Sequence, residues 1–186
     1  SNFITLTNVT LNNNTASNAP GNGGGLHMTG LGTIDITGGS VSGNTAGSEG
    51  GGLWNGTGTM TIDNVTINGN IASGAAADNG GGGVFNLAGG TISINNSIIS
   101  NNQADGTAGS GGGIFNDFDG SLTVTNSSIT GNISNRAGGG IEGNATGGTN
   151  TIVLTNVTLN NNQTLNAPGN GGGLPMTEQD MVTTTG

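Results

Sequence analysis

The sequence predicts an all-β fold, a right-handed parallel β-helix of about six coils of roughly 30 residues with three short strands per coil, on three observations. A twelve-residue phrase recurs six times without insertion or deletion, closing on Asn14, Asn44, Asn70, Asn102, Asn132 and Asn162. These asparagines are 30, 26, 32, 30 and 30 residues apart, within the range of periods that marks solenoid arrays. Apolar residues alternate within each phrase, and a glycine run followed by an aliphatic residue occurs once per period.

Successive side chains of a strand point to opposite faces, so the phrase assigns its own interior. The first inward ladder is Ile4, Ile34, Met60, Ile92, Leu122 and Ile152; the second, two residues on, is Leu6, Ile36, Ile62, Ile94, Val124 and Leu154. A turn is expected near Asn8, Asn64, Asn96, Asn126 and Asn156, with Gly38 in the second copy. After it comes a third ladder, Leu11, Val41, Ile67, Ile99, Ile129 and Leu159. The glycine runs announce the last strand, placing Leu26, Leu53, Val84, Ile114, Ile141 and Leu174 one per coil.

Strands this short bury a core only when coils stack about 4.8 Å apart, each pairing with its equivalent one coil away. Right-handedness follows the strong preference of parallel crossovers. The closing asparagines are expected to take a left-handed corner conformation and to stack their amides along the axis. Loops are expected between each closing Asn and the next glycine run, where length varies. The repeat domain is thus 1–176, and 177–186 is a tail expected to cap the rod or reach a neighbouring subunit, with Glu178 and Asp180 placed to blunt an open strand edge.

Composition narrows function. The chain has 41 glycines, one Lys or Arg against ten Asp and Glu, a net charge of −9 and no cysteine. So few cations leave phosphates without partners, which argues against nucleic acid. No apolar run is long enough to span a membrane, and neither a signal peptide nor an initiator Met stands at the start, as expected of a processed product or excised segment. Asn-x-Ser/Thr triplets at Asn8, Asn55, Asn64, Asn126, Asn132, Asn144 and Asn156 are read as by-products of Asn and Thr richness.

A longer period overlies the coil. Residues 1–30 and 149–178 agree at 22 of 30 positions, including LTNVTLNNN and NAPGNGGGL, so an offset of 148 residues recurs. The sixth coil therefore begins a second five-coil block, as in a segment of a longer array.

With GGGVFN, GGGIFN and TVTNSSITGN in view, the chain resembles the repeats of bacterial polymorphic outer-membrane proteins and related secreted β-helix adhesin passengers. The resemblance covers nearly all of residues 3–176 and implies a surface-exposed or secreted module with adhesive or structural roles. It carries over no catalytic residues.

Candidate sites are few. His27 and Arg136 are the only basic side chains, so a pectate-lyase-like reaction lacks a proton acceptor beside clustered carboxylates, and the chain is read as non-enzymatic. Asp117 and Asp119 could hold a hard cation, but a solvated turn is the favoured reading, and neither metal nor cofactor is expected. Trp54, Phe85 and Phe115 follow the glycine-apolar residue on consecutive coils and form a stripe expected on the outside, either a sugar-binding platform or an aromatic ladder partly covered by a loop. Outward hydroxyls form columns, Thr7, Thr37, Thr125 and Thr155 with Asp63 and Asn95 in one, and Thr10, Ser40, Thr66, Ser128 and Thr158 with Ile98 in another. Such a face is what ice binding would use, although Asp35, Asp63 and Val153 break its regularity.

The sequence thus points to an extracellular or bacterial cell-surface module, structural or adhesive, that associates with itself by coaxial stacking or with a surface glycan, without nucleic acid or a membrane span. The alternatives are an ice-binding face and a carbohydrate-binding or pectate-lyase-like β-helix.

Overall fold

The computed structural model describes residues 2–175 and 180–185. Among these there is no helix, and every strand pairing is parallel. The strands form sheets of eleven, six and five members that wind together into a β-solenoid of about six coils.

The fourth coil shows the plan. Thr91–Asn95 and Ile98–Ser100 belong to the first sheet, Gln103–Ala104 to the second and Ile114–Asn116 to the third. The three expected strands are present, and a two-residue strand after the closing Asn adds a fourth segment. Registers follow the repeat, with Ile92 between Met60 and Leu122, Ile99 between Ile67 and Ile129, and Val84 between Leu53 and Ile114.

Between the halves of each phrase the chain bends at a left-handed residue, for example Asn64 at φ 56° and Asn96 at φ 49°. Asparagine occupies this corner because its short polar side chain tolerates the conformation that β-branched neighbours resist. All four aliphatic ladders meet in one cluster, fully buried in the inner coils and half-buried at Leu6, Leu11, Leu26, Leu159 and Leu174, while Ile4 at the head of the first ladder is exposed. Each buried Ile or Leu contributes about 1.5–3 kcal/mol relative to exposure.

The closing asparagines behave differently from expectation. The left-handed residue is the one before them (Asn13, Gly43, Gly69, Asn101, Gly131 and Asn161), whereas the closing residue is absent from the positive-φ set. Asn44, Asn70, Asn102 and Asn132 instead turn fully inward. The corner turns one residue earlier so that the amide can enter the core. Asn70 Nδ2 and backbone N–H both donate to Asn102 Oδ1 at 2.9 Å, and Asn102 repeats the pattern to Asn132. The second Nδ2 hydrogen closes onto a carbonyl of the coil before, as Asn102 does to Ile67 O.

Glycine runs make room for this ladder. A Cβ on Gly52 would stand 3.1 Å from the Asn70 amide and 2.6 Å from Gly83 O, and one on Gly51 would stand 2.5 Å from Ile71 O in the next coil's two-residue strand. Gly50, at φ +63°, turns the chain into this close approach.

The described part of the tail adds a strand to the first sheet. Asp180–Thr185 pairs with Asn150–Thr155, Thr155 standing opposite Thr185, and so opens a seventh coil in register. Glu178 lies outside the described residues.

Candidate functional site

The third sheet carries the chemistry. Its strands are three residues long, with the central residue pointing away from the aliphatic core, so His27, Trp54, Phe85, Phe115 and Glu142 form one column. The rings stack nearly parallel, with centroids 4.3, 6.3 and 5.0 Å apart from His27 through Trp54 and Phe85 to Phe115.

Of the readings the sequence leaves open for this stripe, the structure has the covered aromatic ladder and not the outward platform. Trp54, Phe85 and Phe115 are only 6%, 1% and 0% exposed and form a second hydrophobic cluster joined by Leu87. The turn at the first glycine of each run folds back onto them, a Cβ at Gly50 falling 3.0 Å from Trp54 Cβ. Only His27, at the head of the stack, presents an exposed ring. The stripe is a packed ladder, and its ring faces are closed to a sugar.

Beside it runs a polar network. Glu49 Oε2 accepts from Trp54 Nε1 at 3.0 Å and Asn22 Nδ2 at 3.2 Å, while Oε1 accepts from Asn79 Nδ2 at 2.9 Å. Three coils are thereby tied to one carboxylate. Burial raises the Glu49 pKa above its ordinary value, against the lowering effect of the Trp54 and Asn79 donors.

A surface cleft of about 350 Å³ opens along the same face, lined by Ala77, Asp78, Asp117, Phe118, Arg136, Asn144 and Thr146. Arg136 donates from Nε to Ser110 Oγ at 2.8 Å and from Nη2 to Ala77 O and to Glu142 Oε1, making an ion pair at 3.2 Å. Asp117 Oδ1 accepts from Asn144 Nδ2 at 2.8 Å. Its pKa is raised by burial despite the donors of Phe118, Asn144 and Ala88. Asp119 is separately engaged, its Oδ1 accepting from Thr149 N at 3.0 Å. The two carboxylates thus cap different turns, and among the described residues no three His, Cys, Asp or Glu side chains come together as a cation site.

Columns of hydroxyls fall where the repeat places them. Thr7, Thr37, Asp63, Asn95, Thr125, Thr155 and Thr185 follow one another coil by coil on the outer face of the first sheet. Asp63 Oδ1 accepts from Asn95 Nδ2, its neighbour in the column, and from Asn96 Nδ2 at the adjacent corner, both at 3.0 Å, so amide and carboxylate interrupt the hydroxyls in the middle of the column.

Two features escaped the sequence reading. A second buried amide ladder runs from Asn55 to Asn86, Asn116 and Asn150 at 2.8, 2.6 and 2.7 Å. It stops because the first coil has Met28 opposite Asn55, leaving the Asn55 Oδ1 atom buried without a partner. The Phe-Asn pairs at Phe85-Asn86 and Phe115-Asn116 were its visible signal. Serine forms a shorter series at the corner, Val65 N donating to Ser97 Oγ and Ser97 N to Ser127 Oγ. Of the glycosylation triplets, Asn55 and Asn132 are fully buried and closed to a glycan in the folded chain.

Fold and surface together define the chain as a parallel β-solenoid whose exterior is built of hydroxyls, amides and few charges. No protein family, curated protein or solved structure matches it.

Proposed function

We propose that this chain is a non-enzymatic structural or adhesive module of an extracellular or bacterial cell-surface protein, akin to the secreted β-helix passengers its repeats resemble. One observation carries the reading: the Asn14-to-Asn162 ladder runs through all six coils with a single polarity, each amide donating to the next coil. A solenoid so built has an accepting end at Asn14 and a donating end at Asn162, which favours head-to-tail association. Around this rod, the cleft at Phe118, Arg136 and Asp78 is the surface suited to a glycan partner, Phe118 being exposed at its rim.

Electron microscopy of the purified chain over a range of concentrations tests it. Filaments or rods longer than one chain are expected as concentration rises. Short particles at every concentration, together with no binding to immobilised glycans, would reject both the structural and the adhesive form.

The in-register hydroxyl columns favour a second reading, ice binding. Crystal shaping that weakens when Thr7 or Thr37 becomes Tyr would support it, and unaltered ice growth with the native chain would dismiss it.

A further inference from the structure

We infer that the contact surface for ice is the middle of the first sheet's outer face, a two-dimensional array of hydroxyls running from the second coil to the sixth, and that its partner is the crystalline surface of water. The inference deepens the ice-binding reading above and rests on it.

Alternation and register together build the array. Ile34, Met60, Ile92, Leu122 and Ile152 turn into the core, so the residues on either side of them turn out. Register stacks the preceding residues as Thr33, Thr59, Thr91, Ser121 and Thr151, a hydroxyl in every one of these coils. The following residues add Thr61, Ser93 and Thr123, between Asp35 and Val153 at the two margins. Neighbours stand about 4.8 Å apart along the axis and about 6.6 Å apart along the strand, two residue rises of about 3.3 Å each.

Hydrogen bonding separates this patch from the rest of the sheet. Toward the corner Asp63 accepts from Asn95 and Asn96, and beyond it Asn68 accepts from Ser100 and Asn101. Among the described residues, by contrast, the hydroxyls of Thr59, Thr61, Thr91, Ser93, Ser121 and Thr123 bond to no other protein group, and all six residues are exposed or half-buried. Threonine is β-branched and stiff about χ1, so the threonine hydroxyls and methyls are held in place before a partner arrives.

Charge and periodicity select the partner. From the second coil to the sixth the two columns carry one charge, Asp35 at their margin, in a chain whose net charge is −9. Two such chains repel one another, as does an anionic surface, whereas a neutral partner meets no such cost. The same stretch of the columns holds no aromatic ring on which a sugar would stack. A rigid array that repeats in two directions is complementary to a lattice rather than to a single molecule. Ice offers that lattice, with uncharged oxygens that can donate to and accept from the hydroxyls.

Ice recrystallisation and the shaping of single ice crystals, followed against protein concentration in the full chain, test the inference. The native chain is expected to slow recrystallisation and shape crystals. Thr91→Tyr and Thr61→Tyr, at the centre of the array, are expected to lose most of that activity. Thr7→Tyr, in the first coil, should lose less, and Thr107→Tyr, exposed in a loop of the fourth coil, none. Asp35→Thr extends the second column by one coil and is expected to act at lower concentration than the native chain, an effect that misfolding cannot mimic. Activity that survives Thr91→Tyr and Thr61→Tyr but is lost in Thr7→Tyr would overturn this face and leave the ice-binding reading standing, whereas a native chain without ice activity would overturn both. Adsorption to crystalline cellulose that Thr91→Tyr abolishes, with ice growth unaltered, would make the partner a polysaccharide and overturn the inference, as would the absence of any gain in Asp35→Thr.

Discussion

At the scale of single residues, the ladder asparagines carry the most. Asn102 accepts two bonds from Asn70 and donates to Asn132 and to Ile67 O, all inside the core. Asn102→Leu leaves those partners buried and unpaired, and the expected loss is about 3–5 kcal/mol, read as a fall in the denaturant midpoint. A replacement within about 1 kcal/mol of the native chain would mean that water or a shifted backbone satisfies the ladder. Glu49 makes a pH prediction with the opposite sign to the usual carboxylate. Because burial raises its folded pKa, the folded state holds the proton more tightly than the unfolded chain between the two pKa values. Stability should therefore be greater at mildly acidic pH and fall as pH rises through the folded pKa, with Asp117 adding in the same direction. Glu49→Gln should flatten that slope. Melting temperatures of the two proteins across pH 4–7 would check it, and parallel curves would count against Glu49 as the source. Relief of the general negative charge, −9 in the native chain and −8 in the variant, is nearly the same in both and largely cancels in the comparison.

Among the elements, the glycine runs and the aromatic column set the shape of the third sheet. Gly52→Ala forces a Cβ to within 2.6 Å of Gly83 O, a backbone atom with nowhere to go. We expect a cost of about 1–3 kcal/mol by overpacking, whereas alanine at Gly69, where a Cβ meets nothing within 4 Å, brings only the strain of its φ of +65°. Equal effects of the two changes on melting would show that conformation, not close approach, demands glycine. Phe115→Ala should cost about 3–5 kcal/mol, since the ring is fully buried and stacked on Phe85 at 5.0 Å. The same element explains what the sequence hid. Alternation puts Trp54, Phe85 and Phe115 on the outer side of their strands, but alternation is blind to a turn folding back over that side. Spacing at the coil period does align Asn55, Asn86 and Asn116, but it gives no sign that Asn150 joins them, because Asn150 begins a strand while the other three end theirs.

For the whole molecule, stability is a sum over neighbouring coils, so the ends should open first. Hydrogen exchange is expected to be slowest in Thr59–Asp63, Thr91–Asn95 and Ser121–Thr125, paired on both sides, and fastest in Phe3–Asn12, paired only with Thr33–Ser42. Uniform protection along the rod would contradict this. What the sequence by itself determined is the coil: period, inward ladders, corner asparagines and strand register all follow from residues recurring at fixed spacing, because a stacked repeat converts sequence period directly into contact. Tertiary structure alone decided which way the in-between residues face. The closing asparagines went into the core, the aromatic column was covered, the threonine column acquired its own hydrogen bonds at Asp63, and the tail became a seventh rung. Each of these depends on atoms a full coil away, whose approach is set by backbone turns and close packing rather than by any local pattern.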